Sequence, residues 1–256
     1  MGEAMIAAIL GKGLSSPDDI FVCDIKESRR QYLGQRYGIA VMESNRLALE
    51  RGEIVVLAIK PQDLVGVMSE LKGHFKAAQL VLSIVAGARI NTLCQGLNHN
   101  SVARVMSNTP AQIGQGVSVW TTTVSVTEQQ KRRISSILGA MGKEIYVDDE
   151  KYIDMATAVS GSGPAYLFLF VEHLVDAAVN IGLPRDMAHE LVLQTVLGAS
   201  QFLQKSGKAP DELRRMVTSP GGTTAEALAQ FEKGQFSELV MRAVSAAYEK
   251  AKKLGG

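Results

Sequence analysis

Ile54-Val55-Val56-Leu57-Ala58-Ile59-Lys60-Pro61-Gln62 runs apolar without a break as far as Lys60 and then turns. A strand with one wet face alternates apolar and polar residues, whereas an unbroken β-branched run belongs to a strand covered on both faces, as in a parallel sheet flanked by helices. Pro61 suits a first helical position. Beyond it Leu64, Val67, Met68 and Leu71 recur at i, i+3, i+4 and i+7, one buried helix face. Working back toward the start, helices are expected over Asn45 to Arg51 and Glu27 to Tyr37, with short strands at Ile39 to Val41 and Ile20 to Asp24, and a first helix from Met1 to about Lys12. Working forward, strands are expected at Leu80 to Val85, Val102 to Met106, Val117 to Thr121 and Ile145 to Val147. Before the last of these lies a helix capped by Thr127, with Gln130 at the reciprocal position and a face of Ile134, Ile137, Leu138 and Met141. Parallel neighbours need crossover connections, usually helices, so this alternation predicts a doubly wound α/β domain.

The pattern changes after Asp148. From Tyr152 onward strand signals vanish, and long apolar segments are punctuated by Gly182-Leu183-Pro184, Ser206-Gly207-Lys208 and Pro220-Gly221-Gly222. These read as a helical bundle, with a boundary near Asp148 to Glu150 that divides residues 1–149 from 150–256.

Composition narrows the function. Lys and Arg number 27 against 26 Asp and Glu, a net charge of +1, so neither nucleic acid nor an anionic membrane is indicated as a partner. Cys23 and Cys94 are isolated, match no metal spacing and fit a reducing, cytoplasmic setting. The most apolar stretch, Ala165 to Leu183, is interrupted by Glu172, His173 and Asp176, and so reads as a buried helix rather than a membrane span.

Chemistry is expected where strands end. Asp24, at the exit of a strand, stands where nucleotide-binding sheets place the acid that hydrogen-bonds an adenine ribose, although an isolated Asp serves equally well as a turn or N-cap residue. Ala58-Ile59-Lys60-Pro61-Gln62 and Val85-Ala86-Gly87 also follow strands, and their small residues permit close approach of a dinucleotide; a helix start and a tight turn are the plainer alternatives. Arg104-Val105-Met106-Ser107-Asn108-Thr109-Pro110 adds polar groups at a later strand end, with Asn108 a cofactor-side candidate. In the helical half, Ser219-Pro220-Gly221-Gly222-Thr223-Thr224 directly precedes a helix, and successive N–H groups at such a turn form an anion nest suited to a carboxylate. Thr223 with Glu226 would alternatively be a capping box. Ser160-Gly161-Ser162-Gly163-Pro164-Ala165-Tyr166 is a second small-residue turn leading into a helix.

In combination, Ala-Ile-Lys-Pro-Gln, Ala-Gly, Arg-x-Met-x-Asn-Thr-Pro, Ser-Gly-Ser-Gly-Pro-Ala-Tyr and Ser-Pro-Gly-Gly-Thr-Thr closely resemble the pyrroline-5-carboxylate reductase family along essentially the whole chain. That resemblance implies a Rossmann-like domain with a helical dimerisation domain, and hydride transfer from NADPH or NADH to the imine carbon of 1-pyrroline-5-carboxylate. It places Asn45, Ala58, Lys60, Pro61, Ala86 and Gly87 along the cofactor, and it places Val217, Ser219, Gly221, Gly222 and Thr223, with Ser160 and Ser162, on the substrate. Thr224 is the expected hydrogen-bond donor or relay at the ring nitrogen, and no metal is implied. The implied assembly is a homodimer through the C-terminal helices, with residues of two chains in each site; larger assemblies of dimers occur in the family.

Two features depart from the family pattern. Ser107 stands where Pro is common, and the strand and glycine-rich turn that usually precede the first helix are not in this sequence. The expectation is therefore that the natural start lies upstream of Met1, and that without that strand two inner sheet edges are left unpaired and the glycine-rich pyrophosphate cradle is removed. A non-catalytic, oligomerising or ligand-binding homologue is the alternative reading. A hydroxyacid dehydrogenase of similar build is disfavoured, because Ala165 to Leu174 contains no lysine. Asp24 argues for NADH, whereas Lys26, Arg29 and Arg30 argue for NADPH.

Overall fold

The computed structural model describes residues 1–255. The elements follow in the order α1 (Gly2–Gly11), β1 (Phe21–Val22), α2 (Glu27–Tyr37), β2 (Ala40–Val41), α3 (Asn45–Arg51), β3 (Ile54–Leu57), α4 (Leu64–Leu71), β4 (Leu80–Ser83), α5 (Ile90–Leu97) and β5 (Val102–Ser107). Next come β6 (Gly116–Thr122), α6 (Glu128–Ala140), β7 (Gly142–Tyr146) and α7 (Lys151–Ala156), a π-helical turn (Thr157–Gly161), and then α8 (Gly163–Asn180), α9 (Arg185–Ser206), α10 (Pro210–Met216), α11 (Thr223–Lys233) and α12 (Phe236–Leu254).

The strands form two sheets. β1 and β2 are a parallel pair, and β3-β4-β5-β6-β7 make a five-stranded sheet. Among the described residues β1 and β3 are not bonded to one another, so each has one unpaired side. β3 to β5 run parallel and β6 is antiparallel to β5, so the doubly wound sheet is mixed. The reason is reach: Asn108 to Gln115, which holds only a short 3-10 helix (Thr109–Ile113), is too brief for a crossover, which needs about a dozen residues or more. The run that starts at Ile54 is also shorter as a strand than its apolarity suggests. It ends at Leu57, and β3 lies at the edge of the larger sheet, with Ile54, Val55 and Val56 only half-buried.

β4 shows why these strands read as continuous apolar runs. Leu80 and Leu82 point into one layer with Met5, Ile134, Leu138 and Met141, while Val81 points into the other with Leu64, Met68, Leu93 and Leu97. Leu80, Val81 and Leu82 are all fully buried. At roughly 25 cal/mol per Å² of apolar surface, each such side chain contributes about 1.5–3 kcal/mol. The capping box at Thr127 and Gln130 forms as expected.

Two compact units result. The first is Met1–Pro164 together with the chain from Ala247 onward, and the second is Ala165–Ala246. Packing thus joins residues 150–164 and the chain from Ala247 onward to the sheet unit. α7 groups with the sheet because Arg104 on β5, 2% exposed, pairs with Glu150 at 2.8 Å and with Asp154 at 2.7 Å. The second unit is helical, with a small core of Val175, Ala188 and Val192 ringed by Val171, Leu174, Leu183 and Val196.

Candidate active site

The parallel strands β3, β4 and β5 point their carboxyl ends to one edge, the position where open sheets bind ligands. Ala58, Lys60 and Pro61 leave β3 there, Ala86 and Gly87 follow β4, and Asn108 follows β5. The start of α1 arrives at the same place, since a Cβ on Gly2 would lie 3.1 Å from that of Ala58. Met1, its N-cap, makes no side-chain bond, so among the described residues the N–H groups of Gly2, Glu3 and Ala4 have no protein acceptor. A ten-residue helix ending in three uncommitted donors beside small residues fits a pyrophosphate.

Asp24 follows β1. One carboxylate oxygen accepts from the Lys26 N–H at 2.9 Å, and its carbonyl accepts from the Arg30 guanidinium at 2.6 Å. The turn reading of Asp24 therefore holds, and its half-buried carboxylate stands at a strand exit. Glu3, which the sequence reading passed over, joins α1 to α2 by pairing with Arg29 and accepting from the Tyr32 and Tyr37 hydroxyls at 3.2 and 3.0 Å. The Arg29 hydrogen bond is the main cause holding the Glu3 carboxyl below the usual range, against a smaller opposing effect of burial.

Other candidates are more committed than the sequence suggested. Asn45 begins α3 and donates to Glu70 at 2.8 Å. Gly87 takes φ of +77°, but the close approach it permits is made by the protein itself, because a Cβ there would lie 2.7 Å from the Leu254 carbonyl oxygen. Asn108 is engaged at both ends of its amide, donating to the Ser160 carbonyl at 3.1 Å and accepting from the Val117 N–H at 2.9 Å. It ties the end of β5 to the π-helical turn, a feature frequent at functional sites. In that turn the Ser160 hydroxyl donates to the Ala156 carbonyl at 2.9 Å, and the Ser162 N–H reaches back to Thr157 at 2.8 Å.

The Arg104 ion pairs were not legible in the sequence, although a lone arginine in an apolar strand was a signal. Glu150 also accepts the Ile90 N–H at 2.9 Å, supplying the start of α5 with the cap its own N-cap residue, Arg89, lacks. One carboxylate thus anchors both the segment after Gly87 and the approach to the π-helical turn.

The Val217 to Thr224 segment lies in the second unit. The expected capping box is absent: Gly222 takes the cap position, no side chain caps α11, and Thr223 is already its first residue. Gly222 takes the cap because its extended backbone aims its carbonyl at the Glu226 N–H, 3.2 Å away, which Thr223 cannot do from inside the helix. The Gly222 N–H donates to the Ser219 carbonyl at 3.0 Å, so it is spent and not available for a carboxylate. Gly221, with φ of +69°, and Thr223, Thr224 and Ala225 keep N–H groups without protein acceptors among the described residues. Thr224 is half-buried, and Val217 and Ser219 are exposed. No group of three or more potential metal ligands occurs among the described residues, and none of their helices is long and apolar enough to cross a membrane.

Comparison with known proteins adds independent findings. Residues 150–254 match the family model described as pyrroline-5-carboxylate reductase dimerisation, and residues 1–87 match that of the coenzyme F420-dependent NADP oxidoreductases. The chain is 37% identical over 255 residues to the pyrroline-5-carboxylate reductase of Synechocystis sp., covering 100% of this chain and 95% of that one. It is 35% identical to the Arabidopsis thaliana reductase, covering 99% of this chain and 92% of the other. Among solved structures, the Plasmodium falciparum pyrroline carboxylate reductase with NADP bound superposes with a TM-score of 0.91 at 33% identity, over 100% of this chain and 95% of that one.

Proposed function

The chain belongs to the pyrroline-5-carboxylate reductase family, and from that premise we propose how its own residues divide the work. The reaction is reduction of the C=N bond of 1-pyrroline-5-carboxylate by NAD(P)H to give proline. When bound, the dihydronicotinamide supplies the hydride that the imine carbon accepts, and the ring nitrogen carries a proton. The protein's part is positioning and electrostatics. Asp24 accepts from the adenine ribose, the free N–H groups of Gly2, Glu3 and Ala4 bind pyrophosphate, and Ala58, Lys60, Pro61 and Ala86 border the dinucleotide. Asn45 acts through its bond to Glu70, and Gly87 and Asn108 act by holding the backbone there.

The substrate carboxylate binds the Gly221 and Thr223 N–H groups, and Val217 packs on the ring. The Thr224 hydroxyl donates to, or relays a proton toward, the ring nitrogen. Ser160 and Ser162 border the substrate through backbone groups of the π-helical turn. The single observation that carries this reading is the start of α11, where four N–H groups lack acceptors and no side chain caps the helix. A helix end left unsatisfied in this way favours an anionic ligand.

Homo-oligomerisation follows from the family, and the contact we propose is a dimer through the C-terminal helices, with larger assemblies built from dimers. Support comes from four consecutive apolar residues of α8, Leu167 to Phe170, each 40–63% exposed in the single chain. One stripe on a helix does not need four in a row; a helix apolar on several sides is covered on several sides. We place the enzyme in the cytoplasm, a setting that suits two free thiols, both pushed by burial to pKa values above the ordinary cysteine range.

The test is oxidation of NADPH and of NADH in the presence of pyrroline-5-carboxylate, wild type against Thr224→Ala. Turnover by the wild type and a ~10- to 100-fold lower kcat/KM in the variant are expected, the size of one transition-state hydrogen bond of about 1.4–3 kcal/mol. An unchanged kcat/KM removes Thr224 from the mechanism, and a wild type that binds both ligands without turnover restores the non-catalytic alternative.

A further inference from the structure

Three cations follow β1, and the structure makes them unequal. Arg30 turns back to the Asp24 carbonyl at 2.6 Å. Lys26 is exposed. Arg29, in the first turn of α2, is held by the carboxylate of Glu3 from the first turn of α1, with its guanidinium 5.0 Å from the Tyr32 ring centroid. The Tyr32 and Tyr37 hydroxyls donate to the other oxygen of Glu3, so the carboxylate is fixed from both sides.

NADPH differs from NADH only by a phosphate on the adenine ribose, and a phosphate is recognised by guanidinium groups free to pair with it. We propose that Glu3 is a specificity-determining residue for the cofactor: by holding Arg29 it withholds that guanidinium from the 2′-phosphate and so sets the ratio of affinities for NADPH and NADH. The proposal rests on the reading of the chain as an NAD(P)H-dependent reductase with Asp24 at the ribose. The groups facing Arg29 are Glu3, Tyr32 and, at longer range, Asp24. Asp24 is the acid that a ribose hydroxyl needs, which leaves Glu3 as the acid whose removal penalises only the phosphate-free cofactor's advantage. In Glu3→Gln the amide oxygen still accepts from Arg29, and the amide NH2 meets the tyrosine hydroxyls, which can turn to accept from it; the side chain is uncharged, so Arg29 keeps a position near α1 while its positive charge becomes available.

The experiment is a set of fluorescence titrations of NADPH and NADH into the full chain, without substrate, for wild type, Glu3→Gln, Arg29→Gln and the double variant. Adenosine 2′,5′-bisphosphate and AMP, titrated by calorimetry, isolate the adenine end. Glu3→Gln is expected to shift the Kd ratio about tenfold toward NADPH, the size of one freed charge acting on phosphate near the surface. In the Arg29→Gln background the same change is expected to shift it by less than about twofold. A general loss of folding weakens both cofactors alike and cancels in the ratio. A ratio unmoved by Glu3→Gln overturns the proposal, as does an equal shift with and without Arg29, while the reductase reading stands as long as both cofactors bind. Wild type that binds neither cofactor and neither adenine nucleotide overturns that reading and this proposal with it.

Discussion

The sheet unit and the helical unit bury their apolar residues in different ways. In the first, Leu80, Leu82, Leu93, Leu97, Val102, Ile134 and Leu138 are wholly inaccessible, and two layers of helix cover the central strands. In the second, the fully formed core is centred on three residues, while Leu169, Leu191, Leu193, Leu197, Phe202 and Leu239 stand about half-exposed. A domain of that size cannot leave so much apolar surface in water without a partner. The first unit completes its core within one chain; the second leaves apolar faces open, which is the basis for the dimer proposed above.

The sharpest way to break this comparison is to put the same charge on each unit. Leu169→Asp on α8 is expected to convert the assembly to monomers by sedimentation analysis, weakening self-association by at least ~100-fold, because a carboxylate buried without a partner costs several kcal/mol. Val65→Asp on α4, where the native side chain is 73% exposed, is expected to leave both assembly and stability within about 0.5 kcal/mol of wild type. An intact dimer in Leu169→Asp would mean that this face of the second unit is not what the partner covers.

Next in size is a cavity in the first unit. Leu82→Ala is expected to cost about 2–5 kcal/mol, read from urea unfolding. That loss should not depend on protein concentration, whereas the melting of wild-type α8 and α9 should, since association stabilises them by mass action.

The smallest expected effect concerns the junction of α1 and α2. The folded-state pKa of Glu3 is lowered, mainly by Arg29, so its ionised form stabilises the fold. That contribution is complete above the unfolded-state glutamate value and is lost as pH falls through the folded one. Thermal melting from pH 6 down to 3.5 should therefore fall more for wild type than for Glu3→Gln, by no more than about 1 kcal/mol for so exposed a pair. Equal pH profiles would show that the pair adds nothing to stability.

Much of the sheet unit was readable because its signals are local. The helices Glu27–Tyr37 and Asn45–Arg51 lie where periodicity and Gly38 place them, and the capping box at Thr127 is closed by residues three apart. Strand direction was not local: β6 reads like its neighbours, and only the length of its connection turns it antiparallel. The site divides in the same way. The strand-exit positions of Asp24, Ala58, Lys60 and Ala86 were legible because strand exits are visible as apolar runs that stop. Glu3 and Glu150 were missed because what they do depends on Arg29 and Arg104, residues 26 and 46 positions away. The Thr223-Glu226 pair shows the opposite failure, a local pattern that names a cap which the backbone assigns to Gly222 instead.

By itself the sequence determined the class of fold, the order of elements and the family, and it singled out the candidate segments for cofactor and substrate, since all of these rest on spacing along the chain and on residue types that tolerate few conformations. Only the tertiary structure decided that the sheet is mixed, that α7 belongs with it, that the Gly222 N–H is spent while its neighbours are free, and that Arg29 is claimed by Glu3. Each of these is a choice among partners of similar local merit. Such choices are settled by which groups the packed helices and strands bring within about 3 Å of one another.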